Sequence, residues 1–234
     1  MKEDRLAAVY RLLLEHYGPR GWWPVTPPGG DRPAYSGGPR SDAQRFEVAA
    51  GAILTQNTAW SNAEKALVNL AREGSLDPAG VLALGRRRLA ALLRPSGYFN
   101  QKAERLEALA RFFLEGPAPS REALLAIRGI GPETADSIML YAWSAPFFVV
   151  DAYTRRVFTR VGETGPGWPY EKVRSLFERR LPRDAALYQE YHALIVEHAR
   201  SICRRTPLCD RCPVSPLCER SSPAGGRSPL PDSR

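Results

Sequence analysis

The chain of 234 residues carries 33 Lys and Arg against 25 Asp and Glu, a formal net charge of +8, with 44% apolar and 9% aromatic residues. That composition excludes a fibrous or wholly disordered chain, and the length allows one or two domains with a proper core. No apolar run approaches the ~20 residues of a bilayer span, and the start, Met1-Lys2-Glu3-Asp4-Arg5, runs into an amphipathic pattern without the apolar stretch of a secretory leader. A soluble cytoplasmic protein with no membrane partner is expected, nucleoid-associated if the source is a bacterium.

In chain order, Leu6, Val9, Tyr10, Leu13 and Leu14 recur at helical spacing over residues 4–17. Residues 24–40 are rich in Pro and Gly and predict a long loop. Ser41 with Gln44 three residues on forms a capping box that opens a helix to Leu54. Helical patterns follow over 60–73, 78–84 with Pro78 in the first turn, 86–94 and 101–115. Ser120 caps 121–127, and Pro132 starts a helix to about Trp143. Further helices are expected near 152–161, 170–181 and 184–203. The apolar run Pro146 to Val150 is too short and isolated to build a sheet, and the Ser/Pro/Gly/Arg composition from Ser221 predicts a disordered tail over 221–234. The fold class is all-α.

Three stretches carry chemistry. Leu125 to Asp136 reads as a short helix, a Gly129-Ile130-Gly131 turn and a second helix. Glycines there permit close backbone approach, and the unsatisfied N–H groups that open the second helix suit a phosphate. Asp151 follows the Phe147–Val150 run and opens the next helix, where an isolated Asp would ordinarily serve as a cap. All four cysteines, Cys203, Cys209, Cys212 and Cys218, fall in one window with the pattern C-x5-C-x2-C-x5-C. Such clustering argues against a disulfide framework and for four thiolates around one centre, either zinc or [4Fe-4S]. Arg200, Arg204, Arg205, Arg211 and Arg220 surround them, offset their charge and leave a basic rim. His192 and His198, on the helix before the cysteines, read as packing residues. Of 33 basic residues only Lys2, Lys65, Lys102 and Lys172 are lysines, so a Schiff base has few candidate amines.

The hairpin, Val150-Asp151 and the cysteine loop, taken in that order, resemble the helix-hairpin-helix DNA glycosylases of the endonuclease III type. The segments Phe46 to Lys65 and Ser96 to Ala103 are similar to two other signatures of that family, so the likeness runs over roughly 42–218. It implies a six-helix barrel domain with the helix-hairpin-helix (42–146) and a discontinuous helical domain (1–41 and 147–220) that carries a [4Fe-4S] loop. By the same resemblance Asp151 is the catalytic carboxylate and Cys203, Cys209, Cys212 and Cys218 hold the cluster, with zinc the alternative. Gly129 and Gly131 grip the DNA backbone, and Gln56 and Tyr98 fill the gap left by a flipped nucleotide. The first cysteine spacing is one residue shorter than the endonuclease III pattern.

Glu133 stands where the bifunctional members of that family place a lysine. The resemblance therefore implies a monofunctional enzyme that releases a base without cutting the strand. Trp22-Trp23-Pro24 and Trp60 match the pattern of the lysine-lacking 3-methyladenine glycosylases. An aromatic slot favours cationic N3- or N7-alkylated purines, which are also good leaving groups. The expected function is excision of an alkylated purine such as 3-methyladenine from double-stranded DNA in base excision repair, by a monomer. The alternatives are an endonuclease III-like enzyme for oxidised pyrimidines and a non-catalytic helix-hairpin-helix DNA-binding protein.

Overall fold

The computed structural model describes residues 4–116 and 119–219, and the expected tail over 221–234 and the flanking Arg220 lie outside them. Among the described residues there are eleven α-helices and a single isolated β-bridge, Val25 to Ala34. The fold is all-α, as expected, and the Pro146–Val150 run joins no sheet. No helix among the described residues is long and apolar enough to cross a membrane.

The chain divides into two compact units: residues 21–149 with 184–189, and residues 1–20, 150–183 and 190–234. The first boundary falls after Arg20 where the sequence reading puts it after residue 41. The reason is that Trp23 and Val25 are buried in the larger unit and Thr26 is bonded to its first helix.

The larger unit is built on α2 (Asp42–Leu54). Ser41 Oγ accepts from the Gln44 N–H, while Gln44 Oε1 accepts from the Arg40 N–H one residue earlier than in a standard box. Residues 46–54 of α2 are all buried, and the helix packs against α3 (Trp60–Arg72), α6 (Phe99–Glu115) and α8 (Pro132–Trp143). A helix apolar on every side belongs at the centre of a bundle. The short helices α4 (Pro78–Ala83) and α5 (Gly85–Leu92) cover α6. α7 (Arg121–Leu125) is joined to α8 by the hairpin turn, and a buried ion pair, Arg121 Nε to Asp136 Oδ1 at 2.6 Å, ties the two helices together. α7 ends two residues before the expected 127, because the chain turns there.

The smaller unit holds α1 (Arg5–Tyr17), α9 (Ala152–Val161), α10 (Tyr170–Arg180) and the C-terminal part of α11 (Ala185–Ser201). Leu6, Val9 and Leu13 of α1 are buried, as are Val157 and Phe158 of α9, Phe177 of α10 and Tyr191 of α11. The Phe158 and Phe177 rings meet edge to face at 4.7 Å, and Tyr191 Oη donates to the Leu6 carbonyl at 2.7 Å. Arg180 binds Asp4, the α1 cap, at 2.8 Å and also Glu163. α11 ends at Ser201 rather than 203, which leaves Cys203 in the loop that follows.

Candidate active site

In the larger unit, the hairpin turn is exposed at Arg128, Gly129, Gly131 and Glu133, while Ile130 is buried beneath it as an anchor. Gly129 has φ +89°, a left-handed conformation, and a Cβ there would stand 2.4 Å from Arg105 Nε. The backbone therefore favours glycine, and any Cβ would also have to displace the Arg105 side chain. At Gly131, the extended residue that precedes α8, a Cβ would meet nothing within 4 Å, so the backbone can be approached from outside. Glu133 lies in the first turn of α8, where the helix dipole favours an acid.

Gln56 belongs to the same structure. Its Nε2 donates to the Gly129 carbonyl at 3.2 Å and to Thr134 Oγ1 at 2.9 Å, and its Oε1 accepts from Arg105 Nη1. From the turn after α2, the side chain braces the hairpin. Its neighbour Asn57 is exposed with φ +53°, and Tyr98, 64% exposed, has φ +46°. Left-handed backbone in a residue with a Cβ costs about 1–2 kcal/mol. Both residues sit at turn tips, Asn57 between α2 and α3 and Tyr98 at the start of α6.

The tryptophans of the larger unit gather, but unequally. Trp23 is 5% exposed, edge-on to Trp60 at 5.5 Å and tilted on Tyr141 at 5.2 Å, with its indole edge over Gly51. Pro24 is also buried. Trp22 and Trp60 keep part of their rings exposed, their centroids 6.4 Å apart. Glu47 of α2 fastens this segment: its carboxylate accepts from the Thr26 N–H at 2.8 Å and from Thr26 Oγ1 at 2.6 Å. Burial pushes the Glu47 carboxyl up against the opposing pull of those bonds.

The lysines among the described residues are Lys65, Lys102 and Lys172. Lys65 is exposed on α3, and Lys172 of the smaller unit stands over the Trp168 ring at 3.7 Å. Lys102 is buried, and its Nζ donates to the carbonyls of Leu54 and Ser96 at 2.8 and 2.7 Å. Burial and the nearby Arg105 charge bring its pKa down to about 8.

In the smaller unit, Asp151 caps α9: Oδ1 accepts from the Thr154 N–H at 2.7 Å. Oδ2 lies 3.5 Å from His192 Nε2, and the side chain keeps 14% exposure. Burial pushes the carboxyl up, but His192 and the Thr154 N–H outweigh it and hold the pKa below the ordinary carboxylate range. His192 is thus a residue of this site that the sequence reading left to packing. Two acids or bases 41 positions apart give no local signal; only the placing of α11 beside the start of α9 reveals them.

Cys203, Cys209, Cys212 and Cys218 all line one small cavity, closed further by Arg160, Ile202 and Pro207. Among the described residues, no three His, Cys, Asp or Glu side chains converge tightly enough for a single metal ion. Arg160 of α9 is buried and donates to Cys203 Sγ at 3.3 Å and to the Arg204 and Arg205 carbonyls at 2.6 and 2.9 Å. Arg156 donates to the Cys203 carbonyl at 3.0 Å. These two arginines, spaced one helical turn apart, hold the loop from inside. Arg200, Arg204, Arg205 and Arg211 are exposed around it.

With this geometry in hand, residues 50–183 match the family model described as HhH-GPD superfamily base excision DNA repair protein. A Methanocaldococcus jannaschii protein, named by inference as a DNA repair glycosylase, is 40% identical over 93% of this chain and 99% of its own length. An endonuclease III solved in a non-covalent DNA complex superposes with a TM-score of 0.75 over 94% of this chain and 97% of that one, at 19% identity. The 3-methyladenine DNA glycosylase of H. pylori, solved with 1,N6-ethenoadenine bound, gives 0.65 over 85% and 98%, at 26% identity.

The Asp151 contacts set a pH dependence. A carboxyl whose pKa is lower folded than unfolded contributes stability above its unfolded value of about 3.9 and loses it as the pH falls through the folded value. Urea unfolding of the wild type and Asp151→Asn should therefore differ most at pH 5–6 (roughly where the unfolded carboxyl is ionised), with the wild-type advantage shrinking steadily below about pH 4. A difference that does not change with pH would show that the folded protein does not favour the ionised form.

Proposed function

The chain belongs to the HhH-GPD superfamily of base excision DNA repair proteins and is a DNA glycosylase of the endonuclease III type, and on that premise we propose that it is a monofunctional enzyme that hydrolyses the N-glycosidic bond of an extruded alkylated purine in duplex DNA. The observation that carries the substrate class is the pair of partly exposed indoles, Trp22 and Trp60, backed by the buried Trp23 and Tyr141. Two electron-rich faces held by a packed second layer suit a flat cationic base, through stacking and cation–π attraction. Trp23 and Pro24 contribute from behind and do not themselves meet the base. The H. pylori 3-methyladenine DNA glycosylase, solved with 1,N6-ethenoadenine bound, lends this reading a relative that binds a modified purine.

Asp151 is the catalytic group in this reading. Its ionised carboxylate stabilises positive charge that develops on the sugar as the base departs, and it orients and deprotonates the attacking water. An N3- or N7-alkylated purine leaves as a neutral base, so no separate general acid is needed. His192 keeps the carboxylate anionic and in place. Gly129, Gly131 and the opening turn of α8 bind the phosphate backbone. Tyr98 fills the space the extruded nucleotide leaves, and the exposed Asn57 shares that role, since Gln56 is occupied in bracing the hairpin.

Strand cleavage by β-elimination needs an amine that adds to the sugar. Glu133 occupies the hairpin position of the lysine in bifunctional relatives, and Lys102 is enclosed with its ammonium bound to two carbonyls. Both support a product that is an abasic site in an uncut strand.

The four cysteines fit a [4Fe-4S] cluster. The donor set is all cysteine, and the four residues line one cavity, which suits four irons each bound to one cysteine. A single zinc would need all four sulfurs about 2.3 Å from one point. When bound, the cluster would cross-link residues 203–218, with Arg156 and Arg160 offsetting its thiolate charge. Protein purified without oxygen should be brown with a broad visible absorption and bleach when iron is chelated. A colourless protein holding one equivalent of zinc would overturn the assignment.

The substrate class is tested by incubating the protein with methylated and with oxidised duplex DNA, identifying the released base by mass spectrometry and adding borohydride. Release of 3-methyladenine or 7-methylguanine without a trapped protein–DNA adduct is expected. Release of oxidised pyrimidines alone would favour the parent endonuclease III specificity, a borohydride-trapped adduct would contradict the monofunctional chemistry, and DNA binding with no release would leave only a binding protein.

A further inference from the structure

Lys102 is the one fully enclosed ammonium in the larger unit, and nothing in base release or backbone binding requires it. Its two acceptors are not arbitrary. Leu54 is the last residue of α2, and the chain runs from it through Thr55 and Gln56 to the left-handed Asn57. Ser96 closes the 3-10 turn over 94–96, and the chain runs from it through Gly97 to the left-handed Tyr98. Each carbonyl thus precedes one of the two exposed turn tips by two or three residues. One Nζ bonds both, at 2.8 and 2.7 Å.

The surrounding bonds tighten the same knot. The Lys102 N–H donates to the Tyr98 carbonyl at 3.0 Å, and Ser96 Oγ donates to the Leu93 carbonyl at 2.8 Å. One turn further along α6, Arg105 reaches Gln56 and lies against Gly129. The left-handed backbone at Tyr98 is unfavourable by itself and persists where neighbouring structure fixes it, whereas Asn57 is of a residue type that adopts it more readily.

We propose that Lys102 is a positioning residue that locks the Asn57 and Tyr98 tips into one rigid unit, so that they enter the duplex together and hold a nucleotide extruded. The inference rests on the glycosylase reading, in which those tips occupy the gap in the duplex. Lys102 itself touches neither DNA nor the reacting atoms. Its contribution is made where the lesion is stacked and paired, because extrusion from an intact pair is what the tips assist. A lesion that is already unpaired needs less of it.

The test compares single-turnover release of 7-methylguanine from two duplexes, one with cytosine opposite the lesion and one with an abasic site opposite it. Lys102→Met, which keeps length and removes the donors, should slow release from the paired duplex by about tenfold or more and from the unpaired one by less than about threefold. In a Tyr98→Ala background the same substitution should cost clearly less, since the tip it positions is gone. Equal losses on both duplexes, or none, would overturn the inference while leaving the glycosylase reading intact. Wild-type protein that releases base from neither duplex would instead overturn that reading. Lys102→Gln, which retains two N–H donors, serves if the Met variant fails to fold, and its loss should fall on the paired duplex alone; a Gln variant that is equally slow on both contradicts the proposal.

Discussion

One oxygen of the Asp151 carboxylate accepts from the Thr154 N–H and the other lies 3.5 Å from His192 Nε2, and the proposed chemistry follows from that division. A helix cap is usually taken as a reason not to look further at an aspartate. Here the cap does the orienting: with Oδ1 committed to the first turn of α9, Oδ2 has little freedom to swing. The positive end of the helix and the imidazole favour the anion, and they do so strongly enough to overcome the burial that disfavours it. A group that stabilises a cationic sugar has to be ionised before the substrate arrives. The same few bonds therefore secure the start of a helix and a charge ready for use.

A similar economy holds in the larger unit, where α6 supplies cations to two places. Lys102 binds carbonyls at the ends of two turns, and Arg105 fills the space that Gly129 leaves open and binds Gln56. The hairpin turn is often explained by what its glycines allow a phosphate to do. In this protein Gly129 is also favoured from within, since any side chain there would have to displace Arg105. External access belongs to Gly131, whose missing Cβ leaves open space. The two glycines of one motif answer to different constraints.

Much of this was legible in the chain, for local reasons. Ser41 with Gln44, Pro132 and Asp151 mark helix starts through bonds and backbone angles that are set within a few residues, and α8 and α9 begin and end where these signals place them. The spacing of the four cysteines brings them together, and they line one cavity. What stayed hidden depends on contacts between distant segments. His192 meets Asp151 only because α11 lies beside the start of α9. Nothing in the local sequence marks Arg156 and Arg160, whose guanidinium groups turn onto the cysteine loop. Lys102 looks like an ordinary helix-surface lysine until the two turns close over it. Trp22 and Trp23 are adjacent and chemically identical, and nothing local says that one would be buried and the other left partly open.

The central claim is that one ionised carboxylate drives base release and that binding does not depend on it. The direct measurement is single-turnover release and equilibrium affinity for a 7-methylguanine duplex, wild type against Asp151→Asn, with asparagine keeping the helix cap. Release slower by about a hundredfold or more, with affinity unchanged or tighter, is the predicted result. Release within a few-fold of the wild type, or loss of affinity and release together, would contradict it.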